Sequence, residues 1–139
     1  MVLGQVQYYM GKYDEASQTL RGVLDGNPDL HGFRPIYGLC HVQAGHPEKA
    51  AALVNDAVRN IASADGDAAY WLASVYAAMH QDQDALSWLR KAISLGNENY
   101  PWFRNNPDWK HLQDDPQFLQ IMEPLRVQWL ELCRQYATK

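Results

Sequence analysis

No run of like charge, no long apolar stretch and no cysteine pattern marks this chain of 139 residues. Its 12 Lys/Arg and 16 Asp/Glu residues are interspersed and leave a net charge of −4. Without a basic stripe to neutralise phosphates, nucleic acid is not an expected partner. No uninterrupted apolar run approaches the roughly 20 residues of a membrane-crossing helix, so membrane insertion is not expected either. The two cysteines, Cys40 and Cys133, are far apart and outside any C-x-x-C pattern. Both fall in apolar helical stretches and read as buried free thiols. Such thiols favour a reducing compartment, the cytoplasm, with the periplasm left open.

Catalytic signatures are equally scarce. The five histidines form no H-E-x-x-H motif and no Cys/His cluster, so no metal site is expected. The acid pairs Asp65/Asp67 and Asp82/Asp84 lack the twelve-residue spacing and closing glutamate of a calcium loop. There is no glycine-rich phosphate loop and no nucleophile elbow, and neither cysteine has an activating neighbour pattern. An enzyme is not expected, nor is a cofactor.

What the chain does contain is a period. Gly4 recurs as Gly38, Gly11 as Gly45 and Ala16 as Ala50, each at an interval of 34 residues. A third copy follows at an interval of 35, with Ala73 in the place of Gly38 and Ala85 in the place of Ala50. The extra residue is expected within 60–69, where Ala-Asp-Gly-Asp reads as a loop. Gly4 and Gly38 sit inside helical pattern, where glycine costs about 1 kcal/mol against alanine. That cost is reasonable where a neighbouring helix must approach closely. Tyr13, Ala16, Leu20, Val23 and Leu24 make an apolar stripe at helical spacing, ended by Asp25-Gly26-Asn27-Pro28. Ala85, Leu86, Leu89, Ala92 and Ile93 make another, ended by Gly96-Asn97. Short glycine-containing turns at Gly11 and Gly45 suit antiparallel neighbours.

The period and its small residues resemble the tetratricopeptide repeat (TPR), a helix–turn–helix unit of 34 residues. Leu3-Gly4, Ala16-x3-Leu20 and Pro28 carry the likeness in the first copy, and Tyr37-Gly38, Ala50-x3-Val54 and Ala57 in the second. Leu72-Ala73, Tyr76, Ala85-x3-Leu89 and Ala92 carry it in the third. Departures include Gln7, Arg34 and His41 at positions where the pattern has aromatic residues. The resemblance implies an all-α fold: a right-handed TPR-type α-solenoid of antiparallel helix pairs with a helical C-terminal cap. Residues 1–139 then form a single TPR domain. Residues 1–30 are a truncated first repeat, 31–64 the second, 66–99 the third and 100–139 the capping segment.

Met1 falls inside the first helix of copy one, which suggests a piece of a longer regulatory or assembly protein. The end of the chain reads as two short helical turns and a longer helix starting at Asp115-Pro116. Phe118, Ile121, Met122, Leu125, Trp129 and Leu132 stripe that helix, and Pro124 should kink or split it. Trp109-x2-Leu112-x2-Asp115-Pro116-x-Phe118 resembles the closing segment of TPR regions in large bacterial signalling proteins, such as serine/threonine kinases, adenylate cyclases and winged-helix regulators.

The resemblance further implies a protein-interaction scaffold that holds a peptide or protein segment in a concave groove lined by the first helix of each pair. By repeat register, Gln5, Tyr8, Tyr9, Leu39, Val42, Gln43, Tyr70, Ser74 and Ala77 face that groove. They include none of the Lys and Arg side chains with which related domains clamp the acidic tails of chaperones. A groove of this composition implies aromatic and apolar contacts with few charges. The second reading is a structural self-assembly module, a homodimer formed through the exposed terminal helices.

Overall fold

The computed structural model describes residues 2–137. They are helical throughout, with no strand among them. Three helical hairpins come first. Helices α1 (Val2–Tyr9) and α2 (Tyr13–Gly26) form the first, and α3 (Arg34–Gln43) with α4 (Pro47–Leu53) and α5 (Asp56–Ala62) the second. Helices α6 (Gly66–Ala78) and α7 (Asp82–Ser94) form the third. A short helix α8 (Tyr100–Asn105), a 3-10 segment (Pro107–Leu112) and the long α9 (Pro116–Ala137) follow.

Local chemistry explains the boundaries. The tight turns after α1 and α3 pivot on Gly11 and Gly45, at φ 79° and 83°, a region open to glycine without strain. Side-chain caps start the later elements. Asp65 accepts from the N–H groups of Asp67 and Ala68, Asn99 from Trp102, Asn106 from Asp108, and Asp115 from Gln117 and Phe118. Each satisfies N–H groups that have no partner within the helix. Pro35 and Pro47 lie in the first turns of α3 and α4, where a missing N–H is harmless.

Three expectations change. The second helix of copy two breaks at Val54–Asn55, outside the 60–69 window, because the Asn55 side chain caps a new helix through the Val58 N–H. A second, expected interruption falls at residues 63–65. Helix α9 runs unbroken through Pro124. Gln120, whose carbonyl loses its helical partner there, is exposed. Cys40 is buried as expected, but Cys133 is exposed. It sits on the half of α9 that has outrun the helices beneath it: Phe118, Met122 and Leu125 are buried, whereas Trp129 and Leu132 are not.

The core has two lobes joined along α6. One packs Tyr8, Leu20, Ile36, Leu39 and Cys40 against Val75. The other gathers Leu72, Leu86, Leu89, Phe103, Trp109 and Phe118. Tyr70, Trp109 and Phe118 stack in series, with centroids 6.1 and 5.9 Å apart. Burying each such ring contributes about 1.5–3 kcal/mol, which fixes the C-terminal segment onto the repeats. Among the described residues no helix is long and apolar enough to cross a membrane.

Candidate functional site

Helices α1, α3 and α6 are the first members of the three hairpins. Residues 99–112 of the same chain lie across the α1 and α6 parts of the face they share. Tyr8 donates its hydroxyl to Asp108 Oδ1 at 2.6 Å, and Tyr9 donates to Oδ2 at 2.9 Å. Gln43 Nε2 donates to the Tyr8 hydroxyl oxygen at 3.2 Å. On α6, Asn106 Nδ2 donates to the Tyr70 hydroxyl oxygen at 2.7 Å, and Trp109 Nε1 donates to Ser74 Oγ at 2.9 Å. The Tyr9 and Trp102 rings meet edge to face, 5.0 Å between centroids.

Five of the nine groove positions read from the repeat register, Tyr8, Tyr9, Gln43, Tyr70 and Ser74, therefore hold this one network. Leu39 and Ala77 are wholly buried, and Val42 is half-buried against the first core lobe. Gln5 lines a cleft beside the network. As placed, Tyr8, Leu39, Tyr70, Ser74 and Ala77 are covered, not open to solvent.

Asp108 is the electrostatic centre of the network. It is buried, and among the described residues no cation lies within ion-pair distance of it. Burial pushes its carboxyl above the usual carboxylate range, while the Tyr8 and Tyr9 hydroxyls pull the other way. The same burial, reinforced by the Asp108 charge, drives both tyrosine hydroxyls well above their ordinary value. They are permanent donors, and Asp108 is their acceptor.

Beside the covered face a cleft of about 570 Å³ stays open, within the size range of ligand pockets. Its walls carry Asp29, Asp65 and Asp67 together with Phe33, Trp71 and Trp102, and no Lys or Arg. His31 lines it too, and its Nδ1 is buried with no hydrogen-bond partner. Of the positions read from the register, only Gln5 and Tyr70 reach this cleft. Most of the other wall residues come from the turn before α3, the start of α6 and the stretch after α7, with Ile61 added from α5. On the opposite side of the third hairpin, His80, Asp82 and His111 bring donor atoms within 4.8 Å of one another.

The family model described as tetratricopeptide repeat matches residues 1–65 and again 41–101. Comparison with curated proteins and with solved structures returned no match. Helical hairpins at a 34–35-residue interval and a family match over residues 1–101 agree: the chain belongs to the tetratricopeptide repeat family.

Proposed function

We propose that this chain is a non-catalytic interaction scaffold that takes a lysine- or arginine-bearing peptide segment in the open cleft beside the self-covered groove. Repeats of this family are generally protein–protein interaction modules and typically carry no catalysis of their own. In this reading residues 1–30, 31–64 and 66–99 are the repeats, and 100–139 caps them. The observation that carries the proposal is the lining of the cleft, three carboxylates among aromatic rings with no cation to neutralise them. Aromatic faces and carboxylates together favour a cationic side chain over an anionic or purely apolar one. The groove positions Tyr8, Tyr9 and Tyr70 then act from behind, holding residues 99–112 so that Trp102 forms one wall. The test is an Asp29→Asn/Asp67→Asn double variant, since both residues are exposed. Affinity for a basic, aromatic-containing peptide should fall and helical content should not. Equal binding by both proteins would remove the cleft from consideration.

A second reading has its own observation. Val127, Trp129, Leu130 and Leu132 remain exposed along the end of α9. Uncovered apolar side chains gathered along one helix suit a second copy of the chain. Sedimentation of wild type against Leu130→Glu tests it: a concentration-dependent dimer lost in the variant supports self-assembly, and a strict monomer excludes it.

A further inference from the structure

We propose that His80, Asp82 and His111 form a binding site for a divalent transition-metal ion of the zinc or nickel type, one that pins the C-terminal segment to the third repeat. His80 belongs to the turn between α6 and α7, Asp82 is the first residue of α7, and His111 lies in the 3-10 segment that covers the groove. One donor atom from each lies within 4.8 Å of the other two. His111 Nε2 is 2.8 Å from Asp82 Oδ1, and the His80 and His111 imidazoles lie side by side, tilted by 48° with centroids 4.3 Å apart. A tetrahedral ion with bonds of about 2.0–2.1 Å needs donor atoms roughly 3.3 Å apart. The Asp82–His111 pair is already that close, and both histidines are exposed and able to turn.

The backbone at His80 is a second, independent observation. The earlier hairpin turns place Gly11 and Gly45 at positive φ, and the third copy sets His80 at the equivalent position, φ 58°. It is the one non-glycine residue with positive φ among the described residues. Histidine enters that region more readily than most side chains but less readily than glycine, so the third copy accepts a modest backbone cost to place an imidazole there. That imidazole is turned toward the tail. The donor set decides the class of ion. Two imidazole nitrogens and one carboxylate oxygen suit zinc, nickel, cobalt or copper. Calcium, which takes six to eight oxygens, and magnesium, which prefers an all-oxygen octahedron, are poorly served. Water completes the coordination, because the site opens to solvent. An ion there replaces the His111–Asp82 hydrogen bond with bonds to both partners and adds His80, fixing the segment next to Asp108 and Trp109.

Zinc and nickel chlorides, titrated separately by calorimetry into the chelator-treated full chain without a polyhistidine tag, test the proposal. Expected is saturable one-to-one binding, with magnesium giving none. His80→Gly, Asp82→Asn and His111→Gln should each weaken it roughly tenfold or more, since even residues behind the ligands cost that much in metal sites. His80→Gly keeps the turn in a glycine-compatible geometry, so loss of binding by that variant is not loss of fold. Hydrogen exchange adds a readout specific to the clamp: zinc should slow exchange across residues 107–112 in wild type and not in His111→Gln. Absence of saturable binding at micromolar metal, or affinity unchanged in all three variants, overturns the proposal.

Discussion

Replacing Asp108 probes the contact that ties the tail to the first helix. In Asp108→Ala the Tyr9 hydroxyl loses its acceptor, and Tyr8 keeps only the hydrogen bond it accepts from Gln43. An unsatisfied buried hydroxyl costs about 1–3 kcal/mol, so two cost about 2–6 kcal/mol. Removing a desolvated, unpaired carboxylate returns part of that, and a net loss of about 2–4 kcal/mol is expected. Asp108→Asn keeps an acceptor oxygen for one of the two hydroxyls and turns its NH2 group toward the other, so it should cost about 1–2 kcal/mol, less than alanine. The pH dependence supplies the sign. Asp108 titrates near 3.9 in the unfolded chain and higher in the folded one. Between those values the folded chain holds a proton that the unfolded chain has released. Its contribution is therefore full below about pH 3.9 and is lost as pH rises through the folded value, at no more than about 1.4 kcal/mol per pH unit. Urea unfolding at a series of pH values should show wild type losing ground to Asp108→Asn across that window and a constant gap above it. A gap independent of pH would refute the claim that the carboxylate is desolvated. An alanine variant as stable as the asparagine one would refute the latch itself.

Glycines at equivalent repeat positions should respond oppositely to alanine. A Cβ at Gly4 would lie 2.6 Å from Leu20 Cγ, and Leu20 is fully buried, whereas at Gly38 the nearest atom is 3.6 Å away. Gly4→Ala should cost about 1–2 kcal/mol net of its propensity gain, and Gly38→Ala should stabilise by about 0.5–1 kcal/mol; thermal melts of both variants check the signs. His80→Gly should raise the stability of the metal-free chain by about 0.5–1 kcal/mol as the left-handed strain is relieved, which denaturant titration reads directly. Iodoacetamide should modify Cys133 promptly and spare Cys40, which is buried and whose thiol is pushed up to about 12 by that burial; mass spectrometry of the labelled peptides decides it, and equal labelling would contradict the core packing.

The helical hairpins were legible because small residues recur at fixed intervals, and a period of 34 admits few architectures. Gly11, Gly45 and the stripe on α2 placed the turns and a buried face without any long-range information. The same register put Tyr8, Tyr9, Tyr70 and Ser74 on one face, but nothing periodic announces what lies on that face. Tyr8 and Asp108 are 100 positions apart, and a pairing of that kind leaves no trace in local pattern. Asn106 and Asp108 look like ordinary turn residues until their partners are known. The His80–Asp82–His111 cluster was hidden likewise, by a separation of 29 residues between Asp82 and His111. One clue was available: a histidine stands where the earlier copies have glycine. The break at Asn55 shows a local cap overriding the repeat's own helix length.

The contact between Tyr8 and Asp108 also alters the thermodynamic character of the array. In an open stack each repeat touches only its neighbours, so stability is a sum of local terms and the ends fray independently. Here the first helix is bonded to a segment that follows the last hairpin, so neither the first hairpin nor residues 99–112 can peel away without breaking that bond. Such a ring of contacts favours all-or-none unfolding over gradual melting from the termini. It also makes folding slower, because contacts of large sequence separation must form before the loop between them repays its entropy.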